Sequence, residues 1–273
     1  MDAAIRIFEK DGFPFDRCTW CGLVTRGGDA GPPSYHDYLP ALTQLLPPIT
    51  RLRYEALLAR LARGRAPGRF LDVGCGGGFL VEIAGGLGWE AEGTEVSHAA
   101  CEFARARGLK VHEGVIADAR LKAESFDAIT LMEVVEHVPS PVALLAECAA
   151  LLRPGGVLYL TTPNWNSLSR RVLGERWSAV SRDHVVYFTP KHVRRALRDA
   201  GLTPRDVTTA NVQPHELMTV FRRAKPEGNP MARTMALRDT VERNLFLRGA
   251  KAVVNACLDL TGTGDTIRAL AER

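Results

Sequence analysis

Apolar residues at 49, 52, 56, 57 and 61 recur at helical spacing and predict an amphipathic helix over residues 49–61, stopped by Gly64 and Pro67. From residue 69 the pattern changes. Short β-rich runs at 69–73, 90–95, 110–113, 126–132 and 157–162 alternate with helical segments at 79–84, 97–107 and 140–152. Ser97 caps the second of these helices and Gly108 stops it. Ser140-Pro141 opens the third, which places Val142, Leu145, Cys148, Ala149 and Leu152 on one face and ends at Pro154-Gly155-Gly156. Thr189-Pro190 opens a further helix, with Val193, Leu197 and Ala200 facing inward and Gly201 as its stop. Strand, helix, strand at this cadence specifies parallel β-α-β units covered on both faces. The right-handed crossover rule then leaves a doubly wound α/β sheet as the simplest topology.

The two ends read differently. Residues 1–48 are expected to be irregular, with GGDAGPP at 27–33 and Pro47-Pro48 as breaks. After Gly201 the alternation decays. Residues 203–211 and 217–223 are β-like, 226–230 breaks the chain, 231–260 is helical, 262–265 turns and 266–271 alternates again. The expected organisation is an irregular segment over 1–48, a core over 49–223, a helical insertion over 224–261 and a last core strand within 262–273.

Composition narrows the function. At 273 residues, with 46% apolar and 24% charged, the chain is an ordinary globular protein. No uncharged apolar run reaches the ~18 residues of a membrane span, and the charged N-terminus offers no signal-peptide core. A cytoplasmic protein with no membrane partner is expected. The formal charge is +4, and residues 222–273, with ten basic and six acidic side chains, account for it. That excess is too diffuse for a nucleic-acid partner and fits an acidic small substrate or plain solubility. Of six cysteines only Cys18 and Cys21 are close, as CTWC before Gly22. Two thiolates and His36 fall short of the four ligands of a structural zinc site, so the expectation is a turn carrying two thiols and no metal.

The most informative segment is FLDVGCGGGF at 70–79, where a strand passes into a helix. Open α/β sheets bind their ligands there. Glycines at 74, 76 and 78 permit positive φ and leave no side chain between backbone and ligand. Asp72 stands two residues before the first of them, where a carboxylate repels a pyrophosphate and suits an amine. Glu95 closes the next strand, 21 residues beyond Gly74, where a carboxylate accepts hydrogen bonds from both hydroxyls of a ribose. The ligand read from this spacing is a nucleoside bearing an ammonium group.

With DVGCGGGF (72–79), GTEVS (93–97), FDAITLMEVVEHV (126–138) and LLRPGGVLYLTTPN (151–164) in this order, the chain resembles the class I S-adenosylmethionine-dependent methyltransferases. EVVEHV and DHVVYFTPKHVRRALRDAGL (183–202) resemble the branch of ubiquinone-biosynthesis O-methyltransferases and of tailoring enzymes for sugars and natural products. The likeness covers about residues 35–210, with an echo at 262–273. Some relatives carry an N-terminal zinc ribbon with two CxxC pairs, of which one is present here.

The resemblance implies a seven-stranded, mostly parallel, Rossmann-like sheet with N- and C-terminal helical additions, its last strand inserted by an antiparallel hairpin. It also implies that Asp72, Gly74, Cys75, Gly76 and Gly78 hold the methionine part of S-adenosyl-L-methionine. Glu95 binds the ribose, Val96 lies beside the adenine, Asp118 lies at the adenine edge within 115–118, and Met132 and Glu133 touch the methionine end. Helices in 231–258 then cover the active site or form a homodimer surface.

Transfer from a sulfonium is an in-line displacement, so orientation and water exclusion supply most of the catalysis. A hydroxyl acceptor must also lose a proton, and His184 and His137 are the two candidate bases. His184 follows a long connection, 163–183, of the kind that forms lids and substrate loops. Trp165 and Trp177 within it, with Tyr38, are expected to line a substrate pocket; Arg170, Arg171, Arg176 and Arg182 could meet an anionic acceptor, but a solvated surface is the favoured reading for them. The expected activity is O-methylation of a small molecule (sugar, natural-product or quinone-like), with N- or C-methylation as the alternative. An NAD-dependent oxidoreductase is disfavoured by Asp72 and by Phe79 where a third glycine would stand. A non-catalytic cofactor-binding scaffold is disfavoured by the intact loop and Glu95.

Overall fold

The computed structural model describes residues 4–28, 46–62, 64, 66–212 and 245–273. The chain forms two compact units. One gathers Met1–Ala30, Thr162–Val193 and Val207–Arg268, and the other gathers Gly31–Thr161, Arg194–Asp206 and Ala269–Arg273.

The N-terminus is not irregular. β1 (Ala4–Lys10) and β2 (Phe13–Cys18) form an antiparallel hairpin, and β3 (Val24–Arg26) adds to it. The physical reason is the Asp11-Gly12 turn, whose φ angles of 54° and 78° match the twist that joins two strands by two residues. Phe8 stacks on Phe15 with ring centroids 4.6 Å apart, which gives the hairpin an apolar face. A β hairpin and a third strand thus stand where an irregular segment was expected, ahead of the N-terminal helix.

α1 (Pro48–Ala62) matches the expected helix and buries Leu58 and Leu61 against Phe70, Leu80, Ile83, Ala84 and Trp89. The alternating core follows: β4 (Arg69–Val73), α2 (Phe79–Gly86), β5 (Glu90–Glu95), α3 (His98–Ala106), β6 (Val111–Glu113), β7 (Phe126–Met132), α4 (Pro141–Leu151) and β8 (Leu152–Pro163). β4 pairs in parallel with β5 and β7, β5 with β6, and β7 with β8. Phe70, Leu71, Ala128, Ile129, Leu131 and Leu158 are fully buried, so the central strands are apolar on both faces. Each of the larger side chains among them contributes roughly 1.5–3 kcal/mol. β8 starts earlier than expected. Residues 153–156 bulge out between the Phe126–Leu152 and Ala128–Val157 pairs, so Pro154-Gly155-Gly156 interrupts the ladder without ending the strand.

α5 (Leu168–Leu173) and a single 3₁₀ turn (Gly174–Arg176) lie within the long connection, which leads to β9 (Val186–Tyr187). β9 pairs with β3 and completes a small sheet of order β1-β2-β3-β9. α6 (Pro190–Asp199), β10 (Thr203–Ala210), α7 (Leu245–Thr261) and β11 (Thr266–Glu272) follow. The large sheet has seven strands in the order β10-β11-β8-β7-β4-β5-β6, mostly parallel and doubly wound. β11 occupies the slot between β10 and β8. Arg273 bonds Gly155 and Gly156 at one end, and the Asn164 amide donates to the Asp265 carbonyl at the other, so β11 runs against β8. The β-like stretch at 217–223, the break at 226–230, the helical stretch before residue 245, and Tyr35, His36 and Tyr38 lie outside the described residues. Among the described residues no helix is long and apolar enough to cross a membrane.

Candidate active site

The carboxyl ends of β4, β5 and β7 bring the sequence-derived acids and glycines together within one unit. The chain leaves β4 through Gly74, Gly76 and Gly78, with φ of 70°, 53° and 78°. Two of these positions require glycine for a second reason. A Cβ on Gly74 would stand 2.7 Å from Val134 Cγ2, and one on Gly78 2.7 Å from Leu109 Cδ1. The Gly74 and Cys75 amides both donate to the Thr94 carbonyl, at 2.8 and 3.0 Å, which clamps the loop to β5. Cys75 turns its side chain into the niche over Gly93 and packs with Val81, Cys101, Ala104 and Val111. Burial and the charges of Asp72 and Glu95 push its thiol up, so it serves the loop as a small apolar plug.

Asp72 is 4% exposed. It is the in-register neighbour of Thr130 on β7, whose Oγ1 donates to Asp72 Oδ1 at 2.6 Å. Burial pushes the Asp72 carboxyl up, the Thr130 bond pulls it back and the Glu95 charge adds to the rise, leaving it at about 7. Tyr54 of α1 is pushed up to about 12 by its own burial and by the Asp72 charge. Thr130 and Tyr54 escaped the sequence reading. The signal for Thr130 was its register, since Asp72 and Thr130 sit fourth and fifth in adjacent parallel strands.

Glu95 is built into the loop it serves. Its Oε2 accepts from the Gly76 amide and its Oε1 from the Ser97 amide, each at 2.8 Å. Ser97 in turn caps α3 by accepting from the Ala100 amide. Val96 stands half-exposed beside it. Asp118 folds back so that its Oδ2 accepts from the Val115 amide at 3.0 Å and lies over Gly114, at the end of β6. Met132 closes β7 and packs against the core. Glu133 follows in the left-handed region at φ 58°, its amide donating to the Thr161 carbonyl at 3.1 Å. A non-glycine residue held there costs on the order of 1 kcal/mol, and such outliers cluster at functional sites.

The histidines are placed by local bonds. The His137 amide closes a turn on the Val134 carbonyl. His184 Nδ1 donates to the Ala179 carbonyl at 2.8 Å, so Nδ1 keeps its proton and Nε2 is the ring nitrogen at which a proton is exchanged. The His184 ring meets Tyr187 edge-on. The tryptophans differ from expectation. Trp165 is 8% and Trp177 1% exposed, and both pack with Phe15, Val24, Leu173, Val180 and Tyr187 in the core of their unit. Trp165 is covered on its faces by Phe8 and by the Arg170 guanidinium, 4.1 Å from a ring centroid. The pair is a structural core and not an open apolar wall. The long connection buries large side chains because it has its own hydrophobic partner in the small sheet.

Residues 49–207 match the family model described as a methyltransferase domain. The chain is 35% identical over 179 residues to the ubiquinone biosynthesis O-methyltransferase of Xanthomonas axonopodis pv. citri, covering 60% of this chain and 73% of that one. It is 34% identical over 186 residues to the protein of the same name from Thiobacillus denitrificans, covering 63% and 78%. Among solved structures it resembles a SAM-dependent methyltransferase from Archaeoglobus fulgidus, with a TM-score of 0.54, 17% identity and coverage of 88% and 100%. It also resembles a geranyl diphosphate methyltransferase in complex with SAM, with a TM-score of 0.55, 21% identity and coverage of 90% and 93%.

Proposed function

The chain belongs to the methyltransferase-domain family and is an S-adenosylmethionine-dependent enzyme, and from that premise we propose that it methylates a hydroxyl of a small molecule in the cytoplasm. The observation that carries the choice of oxygen is the 35% identity, over 179 residues, to a relative named for ubiquinone biosynthesis O-methylation. A phenolic or quinone-like acceptor is the first candidate, and sugar and natural-product hydroxyls are the next.

The residues fit the cofactor by their chemistry. A buried carboxylate at Asp72 and a second at Glu95 flank a loop of three glycines, which suits an ammonium at one end of the ligand and a diol at the other. The bound cofactor supplies a methyl group already activated on a sulfonium. Glu95 accepts the two ribose hydroxyls with lone pairs left over from its amide bonds. Asp72, held by Thr130, faces the amino-acid end, and Glu133 turns the chain beside it. A histidine takes the acceptor proton. His184, whose Nδ1 proton is held by the Ala179 carbonyl, is the favoured base and His137 the alternative.

The test is release of S-adenosylhomocysteine with the full chain against a panel of catechols, phenols, sugars and amines, with products identified by mass spectrometry. An O-methylated product is expected, with His184→Gln lowering kcat by about 100-fold and leaving cofactor affinity unchanged. Turnover confined to amines, or to carbon acceptors, would replace the reading.

A further inference from the structure

The cofactor site uses neither Cys18 nor Cys21. Both thiols are free and half-exposed, in the turn that joins β2 to β3. The turn is built tightly. The Gly22 amide donates to the Cys18 carbonyl and the Cys18 amide to the Leu23 carbonyl, each at 2.9 Å, with Gly22 at φ 79°. The Cys21 and Trp20 amides and the Cys21 thiol act as donors toward the Cys18 sulfur. His192 of α6 anchors the turn from outside, its Nε2 donating to the Cys21 carbonyl at 3.0 Å while its Nδ1 accepts from Thr189. The Lys191 ammonium lies against Gly22, 3.8 Å from where a side chain would begin. Hydrogen bonding from within the turn therefore favours the Cys18 thiolate and holds its thiol below the usual range.

We propose that Cys18 and Cys21 form a reactive dithiol, a modification site at which Cys18 attacks a low-molecular-weight disulfide and Cys21 resolves the adduct. In the first step the Cys18 thiolate forms a bond to one sulfur of glutathione disulfide, the S–S bond of that molecule breaks, and one glutathione thiolate leaves. In the second, Cys21 gives its proton to water and attacks the Cys18 sulfur, releasing the second glutathione thiolate. The protein thiols lose two electrons and glutathione disulfide gains them, so the oxidant is balanced. Two residues between the cysteines and a turn already closed by hydrogen bonds put the resolving sulfur next to the sulfur it must attack. The remaining cysteines provide the contrast. Cys75, Cys101 and Cys148 are buried, whereas Cys257 is exposed on α7.

The experiment equilibrates the full chain in glutathione buffers of graded oxidation, traps free thiols by alkylation and reads intact and peptide masses. Trp20, 82% exposed between the two cysteines, gives a second readout through its fluorescence. One two-electron transition is expected, confined to the peptide holding Cys18 and Cys21. Cys21→Ser should stop at a mixed disulfide on residue 18, and Cys18 should be alkylated at least about tenfold faster than Cys257 at neutral pH. The proposal is overturned if the pair stays reduced in fully oxidised glutathione, or if Cys257 reacts as fast. It is equally overturned if the protein as purified holds zinc that both Cys18→Ser and Cys21→Ser release, which would make the turn a metal half-site. The wild-type transition needs no variant, so a misfolded mutant leaves the test intact.

Discussion

Thr130 Oγ1 stands 2.6 Å from Asp72 Oδ1, across two adjacent parallel strands and away from solvent. It stabilises the ionised form of a carboxyl that burial and Glu95 drive towards neutrality. Thr130→Val should therefore weaken binding of S-adenosylmethionine several-fold at neutral pH and move its pH dependence upward. Thr130→Ser should restore both. Calorimetric titration between about pH 6 and pH 9 measures this, and a uniform loss with no change in pH profile would make Thr130 a packing residue only.

Asp72 also sets a stability trade. Its folded pKa, about 7, lies above its value in an unfolded chain, so its contribution is fully present below the ordinary carboxylate range. That contribution is lost as pH rises through the folded value. A tenfold change in an ionisation constant corresponds to about 1.4 kcal/mol, so the penalty above neutrality is a few kcal/mol. Asp72→Asn should melt higher than the parent at mildly alkaline pH, with the gap closing in acid, while its cofactor affinity falls. Urea denaturation at two pH values checks the first part.

Gly74→Ala meets two obstacles, a left-handed φ of 70° and a contact of 2.7 Å with Val134 Cγ2. Together they should cost about 1–3 kcal/mol and most of the cofactor binding. Adding Val134→Ala removes the contact but not the φ strain, so the double variant should recover part of the loss. Full recovery would assign the whole effect to crowding.

Away from the site, Glu92 on β5 is buried and accepts from Arg69 at 2.7 Å, Lys110 at 2.9 Å and His112 at 2.7 Å. Burial pulls its carboxyl up, but the three donors together hold it below the usual range. Its stabilising contribution is thus present above the ordinary carboxylate pKa and lost as pH falls through the folded value. Glu92→Gln should cost about 2 kcal/mol at neutral pH and little in acid, read by thermal melts across that range.

The alternating core was legible because each strand and helix carries its own period and stop residue. The count of seven strands and the insertion of the last one by an antiparallel hairpin followed from the family likeness rather than from any local pattern. Asp72, Glu95 and the three glycines were legible because their spacing is set by the strand-to-helix turn itself. The N-terminal hairpin was missed although Asp11-Gly12 marks it, because the prolines and glycines after it coloured the whole segment. Trp165 and Trp177 were misplaced for a different reason. Whether an indole in a long connection faces a ligand or a core depends on a distant partner, and here that partner is the hairpin carrying Phe8 and Phe15. Thr130 shows the same limit from the other side, since strand register is settled by tertiary pairing.

Because the Gly76 and Ser97 amides already fix the Glu95 carboxylate, the group we propose as receptor for the sugar is set when the protein folds and not when its guest arrives. Little ordering cost is then left for the moment of capture. Adenosine, stripped of its amino-acid arm, should still find a rigid seat, and compounds that mimic only the nucleoside become reasonable starting points for inhibitors.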